Sequence, residues 1–203
     1  MRNITVIVLL SVLFIAKGFG QKCIVYGTTA TELSYKYVYL YDPDTKVFVT
    51  APVIAHQFSF ELDRPEKLKI LMLSFNMELM KTYKEVLESP DYKYPNGARM
   101  VALEDTVEVT LKEYTKEALV KGKDLNRDID GMYLAIKSGK YDTFFKQHPD
   151  SPVAIVFLKT LTGLATKGSA LITIEQCRSS YDSLSDRLKN TDEGKELLKI
   201  IAK

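Results

Sequence analysis

The chain has 203 residues, with 28 Lys and Arg against 26 Asp and Glu; no stretch gathers the basic residues that displace counterions from phosphates, so nucleic acid is excluded as a partner. Its two cysteines and two histidines exclude a dense disulfide framework and a local zinc site, since there is no C-x-x-C and His56 and His148 lie far apart. No run beyond the N-terminal segment is long and apolar enough to cross a membrane.

That N-terminal segment has the three zones of a secretory signal peptide. Arg2 supplies charge, Ile4 to Ala16 an apolar core, and Gly18 and Gly20 the small residues at −3 and −1 of a cleavage site. Cleavage is predicted between Gly20 and Gln21, with export as its consequence. The core is shorter than the roughly 20 residues of a spanning helix and Lys17 ends it, so no transmembrane anchor is expected after cleavage. Lys22 stands where lipidation of Cys23 would need a small residue. Removing Arg2 and Lys17 takes the 28 basic residues to 26 against 26 acidic, a formally neutral mature chain. Its 203 − 20 = 183 residues are enough to bury about 70% of the unfolded surface without covalent staples.

From Cys23 the pattern is that of strands. Cys23 to Thr29 is the first; Lys36 to Tyr41, the turn Asp42-Pro43-Asp44-Thr45 and Lys46 to Ile54 form a hairpin. His56 to Leu62 places Phe58, Phe60 and Leu62 on one face, and Leu68 to Phe75 is a continuous apolar run, as in a central strand covered on both sides. Met77 to Leu87 carries a helical stripe of Leu79, Met80, Tyr83 and Leu87 and reads as an excursion ending before Pro90; Ser89 to Gly97 is loop. Arg99 to Leu103 and Thr106 to Leu111 are expected to pair, with Glu104-Asp105 at their turn. About seven closely spaced strands indicate an antiparallel β-sandwich.

Near Lys121 the period changes from two to that of a helix. Ile129, Met132, Tyr133 and Ile136 mark one amphipathic helix, and Tyr141, Phe144 and Phe145 begin another. Asp150-Ser151-Pro152 is a helix start, followed by a stripe of Val153, Val156, Phe157, Leu161 and Leu164. Ile174, Cys177, Tyr181, Leu184 and Leu188 predict one further helix; Asn190-Thr191-Asp192 caps the last, with Leu197, Leu198 and Ile201. The fold class is α+β: signal peptide 1–20, β-sandwich 21–125, helical extension 126–203.

Catalytic equipment is not apparent. Gly122-Lys123 lacks the rest of a phosphate loop, and no G-x-S-x-G elbow is present. His148, beside Pro149, reads as structural. Glu104-Asp105 and Asp128/Asp130 read as turn and helix-start residues. Tyr35, Tyr37, Tyr39 and Tyr41 alternate along one strand; half-buried packing is the first reading, a binding face the second. No cofactor is called for. Cys23 and Cys177 have two readings: a disulfide, permitted in an oxidising compartment and able to stabilise by up to about 5 kcal/mol, or two buried thiols acting as small apolar groups.

Taken in order, several segments resemble a family: the N-terminal domain of unknown function, with its helical linker, of bacterial envelope thiol-disulfide oxidoreductases of the thioredoxin-like, TlpA type. They are Cys23 to Gly27, Val38 to Asp42, Phe58 to Leu62, Ala102-Leu103-Glu104, and Val120 to Asn126, which is similar to a V-x-G-x-x-x-N segment. Phe145 to Val153, Tyr181 to Leu184 and Gly194 to Leu198 are similar to its linker. Where the family has a glycine turn before the aromatic strand, this chain has His56-Gln57, and a looser hairpin is expected. The chain stops at Lys203, where the thioredoxin-like domain with its W-C-x-x-C would begin, so the resemblance implies the fold and a bacterial periplasmic location but carries over no redox chemistry.

Two functions follow as expectations. The first is a non-catalytic envelope binding or accessory module, its ligand unspecified, with an envelope protein such as a thioredoxin-like protein as partner. The alternative is participation in thiol-disulfide exchange through Cys23 and Cys177.

Overall fold

A computed structural model describes residues 21–42, 44–45, 47–93 and 95–202. The predicted signal peptide and Pro43 of the predicted turn lie outside the described residues. Alternation makes the first strand: in β1 (Lys22–Thr29), Cys23, Val25, Gly27 and Thr29 are buried and the residues between them exposed. The hairpin of β2 (Tyr37–Asp42) and β3 (Val47–Pro52) forms as expected. Asp42 organises its turn by accepting hydrogen bonds from the amides of Asp44 (2.9 Å) and Thr45 (3.3 Å) and from the Thr45 hydroxyl.

The chain then crosses to the other sheet through a tight turn. Ile54 and Gln57 exchange backbone hydrogen bonds of 2.8 and 2.9 Å, and the two residues between them, Ala55 (φ 49°) and His56 (φ 63°), are both left-handed. The looser hairpin expected without glycine is therefore corrected: the turn closes fully, with strain in two residues that carry a Cβ. It leads into β4 (Gln57–Asp63), which buries Phe58 and Phe60.

The strands β5 (Ile70–Asn76), β6 (Arg99–Ala102), β7 (Thr106–Leu111) and β8 (Leu119–Lys121) complete two four-stranded sheets, ordered β4-β1-β7-β8 and β3-β2-β5-β6. We call them sheets A and B. Strand β5 is central in sheet B, as its apolar run predicts. The sandwich is antiparallel except for one pair, β1 and β7, which run parallel with Val25 opposite Val107.

That exception corrects the predicted pairing of Arg99–Leu103 with Thr106–Leu111. Both are strands, but β6 pairs with β5 and β7 with β1. The chain changes sheet between them: the Leu103 amide still bonds Lys69 in sheet B at 2.9 Å, whereas the Asp105 carbonyl accepts from Ile24 in sheet A at 3.0 Å. Inward alternation alone cannot tell a hairpin from such a crossing, because Val101 and Val107 face the same core either way. Across that core Phe58 of sheet A meets Phe75 of sheet B edge to face, ring centroids 5.4 Å apart.

Sheet A leaves its outer face to solvent; sheet B is covered. Residues 77–93, which include α1 (Tyr83–Glu88), lie over Tyr39 and Tyr41. The Tyr39 hydroxyl pins them, donating to the Glu78 carbonyl at 3.0 Å and accepting from the Met80 amide at 2.7 Å. The rest of that face, Leu68, Ile70, Met100 and Ala102, packs into the core of the helical layer.

That layer comprises α2 (Asp124–Ser138), α3 (Tyr141–Gln147), α4 (Pro152–Thr166), α5 (Ile174–Asp182), α6 (Asp186–Lys189) and α7 (Asp192–Ile201). Ser151 caps α4 with Pro152 next, as the sequence predicts, and Thr191 caps α7. The single helix expected over Ile174 to Leu188 is corrected to two. The Ser185 amide turns to the Pro149 carbonyl at 2.8 Å and its hydroxyl caps α6, breaking the helix while Leu184 and Leu188 stay buried. Among the described residues no helix is long and apolar enough to cross a membrane.

Candidate functional site at the junction of sandwich and helices

The polar residues that the sequence leaves scattered converge where β6 and the sheet-changing segment meet α2. Glu104 is the centre. It is buried, and its carboxylate accepts from the amides of Lys123 (2.8 Å) and Leu125 (3.0 Å) and from the Asn126 side chain (2.6 Å). Lys123, at the N-cap of α2, offers no side-chain cap, so Glu104 satisfies helix-end amides from a distant part of the chain and places its charge at the positive end of the dipole.

Gly122 makes this approach possible: a Cβ there would stand 2.2 Å from a Glu104 carboxylate oxygen and 2.6 Å from the Asn126 amide nitrogen. The reading of Glu104 as a hairpin-turn residue is corrected by this burial. Its neighbour Asp105 stays at the surface, paired with Arg64 at 2.6 Å and with Lys123; the Lys123 ammonium holds its carboxyl below the ordinary range.

Asp128 and Asp130 lie inside α2, not at its start, which corrects the helix-start reading. Asp130 pairs with the buried Arg99 of β6, whose guanidinium lies 4.2 Å from the centre of the Tyr133 ring. Asp128 Oδ1 lies 2.9 Å from His148 Nδ1. The imidazole stacks on Phe144 with ring centroids 4.7 Å apart and lies against α2 at Gly131, where a Cβ would come within 3.3 Å of Nε2. His148 is thus packed and oriented between α2 and α3.

An open cavity of about 490 Å³ lies beside this junction, lined by Glu104, the first residues of α2, Asp128 and the α3–α4 turn with His148. Glu104, Asp124, Asp128, Asp150 and Ser151, which line it, each have a partner within the protein. Ser151 accepts from the Val153 amide at 3.2 Å, and Asp150 accepts from the Ser185 hydroxyl at 2.6 Å and pairs with Arg187 at 2.8 Å. Among the described residues, no group of three or more His, Cys, Asp or Glu side chains is placed to hold a metal ion.

The cysteines are not brought together. Cys23 belongs to the sandwich core and Cys177 to the helical core, each fully buried and each a free thiol. Burial pushes the Cys23 thiol up, with Arg64 opposing and Asp105 adding; burial likewise pushes Cys177 up, with Thr162 opposing. Of the cleavage pair, Gln21 precedes β1, its carbonyl accepting from the Arg64 amide at 2.8 Å, and Gly20 lies outside the described residues.

The tyrosine stripe is packing, and it divides. Tyr39 and Tyr41 are buried under residues 77–93, Tyr37 packs beside them, and Tyr35 turns to the opposite core against Phe75 at 5.7 Å. Sequence reasoning missed the joint of Glu104, Gly122 and Asn126 as a unit. Its one sequence signal was that Ala102-Leu103-Glu104 and Val120 to Asn126 both belong to the resemblance and are, in space, the two halves of one contact. No protein-family model matches the chain, and no curated protein matches it.

Proposed function

We propose that this protein is an exported, non-catalytic module of the bacterial cell envelope that binds or assists another envelope protein, a thioredoxin-like protein being the partner its resemblance points to. One observation carries the reading against its alternative. Both thiols are fully buried, in separate cores, with pKa values pushed up by that burial, whereas exchange needs an exposed thiolate of lowered pKa with a resolving partner close by. The partners held by Glu104, Asp128 and Asp150 at the junction support a structural role for those three.

The test joins thiol titration to binding. Dithiobis(nitrobenzoate) is expected to find no reactive thiol in the native protein and both after denaturation. In calorimetry against a thioredoxin-like envelope protein, binding is expected to be the same for the wild type and for the Cys23→Ala, Cys177→Ala variant. Binding that needs either cysteine, or insulin reduction above that of the double variant, would overturn the reading in favour of disulfide exchange.

A further inference from the structure

Residues 77–93, which cover the tyrosines of sheet B, bond mainly to one another. The Asp91 carboxylate accepts from the Met77 amide at 2.8 Å and so joins the two ends of the segment. Between them Glu85 accepts from the Lys81 amide at 2.8 Å, Thr82 caps α1 by accepting from the Glu85 amide at 3.2 Å, and the Ser89 hydroxyl donates to the Val86 carbonyl at 2.8 Å and accepts from the Tyr92 amide at 3.2 Å. Toward sheet B the polar ties come from two tyrosines: the Tyr39 hydroxyl bonds Glu78 and Met80, and the Tyr41 hydroxyl approaches that of Tyr92.

Apolar contact is as thin. Within 77–93 only Val86 and Ser89 are buried, and Met77 and Leu79 are 38% and 55% exposed. The cluster that Val86 forms with Tyr39 and Tyr41 is separate from the sandwich and helical cores, so lifting the segment opens neither. Both flanks stay held: the Asn76 carbonyl accepts from the Lys36 amide at 3.0 Å, and the Asn96 carbonyl accepts from the Lys116 amide at 2.9 Å beside Gly97, which is left-handed at φ 64°.

What lies beneath favours opening. Along β5, Leu71, Leu73 and Phe75 enter the sandwich core, so Met72, Ser74 and Asn76 share the opposite face, paired with Tyr41, Tyr39 and Tyr37 of β2. The turn Pro90–Tyr92 packs against β5. Ser74 and Asn76 are fully buried, and neither the Ser74 hydroxyl nor either polar atom of the Asn76 amide has a hydrogen-bond partner among the described residues. A buried hydroxyl or amide without a partner forfeits the bonds it would make to water, and opening restores them.

We propose that residues 77–93 form a lid that opens as a unit while both sheets stay folded, uncovering a face on which Tyr37, Tyr39 and Tyr41 stand beside Ser74 and Asn76. The Tyr39 hydroxyl holds the lid shut. Ser74 and Asn76 bias it toward opening.

Native-state amide hydrogen exchange of the protein in increasing urea, below the unfolding transition, tests this. The Ser89 and Tyr92 amides are bonded within the lid; they should exchange faster than those of β2 and β5 and with a much shallower urea dependence, as an opening that exposes little surface requires. Tyr39→Phe keeps the ring and removes the tie, and should speed Ser89 and Tyr92 about tenfold although neither bonds Tyr39. Ser74→Ala, Asn76→Leu removes the unpartnered groups at similar size and should slow both amides about tenfold; Ser74→Ala alone should slow them in the same direction and serves if the double variant does not fold. Lid amides that share the urea dependence of β2 and β5 would overturn the proposal, as would a Tyr39→Phe protein in which Ser89 and Tyr92 are unchanged. So would Ser74 and Asn76 substitutions that fail to slow the lid, since those groups would then be partnered when it is closed.

Discussion

Glu104 shows how far a side chain's role departs from its local sequence. Beside Asp105 between two strands it has the composition of a turn, yet it accepts three hydrogen bonds in a buried site at the start of α2. Glu104→Gln keeps the shape but turns N–H groups toward donors, and the unfolding free energy should fall by about 1–3 kcal/mol in urea titration; a loss below a few tenths would show that the joint does not carry the load assigned to it. Asp42 gives a pH dependence. Burial pushes its carboxyl up, but the Thr45 hydroxyl and amide, the Asp44 amide and Lys69 more than offset this and hold it below the ordinary range. Because the folded value lies below the unfolded one, the stabilisation is complete above the ordinary carboxylate pKa and is lost as pH falls through the folded value. The urea midpoint of the wild type should therefore drop more between pH 6 and pH 3 than that of Asp42→Asn; equal drops would exclude Asp42 as a source.

At the scale of elements, strands and helices were legible wherever one face is buried. Period-two burial in β1 and β4 and the apolar run of β5 follow from alternation, and the α4 start from a capping serine followed by proline. What failed were connections. The β6–β7 hairpin was wrong because adjacent strands facing one core can belong to opposite sheets, and the long helix from Ile174 was wrong because Ser185 finds a better partner in Pro149 across the layer. The turn at Ala55-His56 is legible only in the structure, since two left-handed residues with a Cβ are an unfavourable choice that local propensity would not select. Ala55→Asn combined with His56→Gly, the preferred pair for such a turn, should raise stability by about 1 kcal/mol despite the loss of the 3.4 Å contact between His56 and Thr29. An unchanged or lower urea midpoint would mean that this contact outweighs the strain.

Across the whole molecule, sandwich and helices share packing as well as polar contacts. Ala102 of β6 sits in the helical core with Leu68, Ile70 and Met100 against it, and Arg99 reaches Asp130 and Tyr133 on α2. Far-UV dichroism, dominated by the helices, and tyrosine fluorescence, weighted toward the sandwich, should accordingly report one coincident unfolding transition; separated midpoints would show two independent units. The change of period near Lys121 placed strands before helices, because one-sided burial is a property of the chain order itself. Only the tertiary structure decided that the two cysteines occupy different cores, that β1 and β7 run parallel, and that Glu104, Gly122 and Asn126 form one joint. Each of these depends on which distant segments meet, and a periodic pattern specifies the face a residue turns inward without specifying what it will meet there.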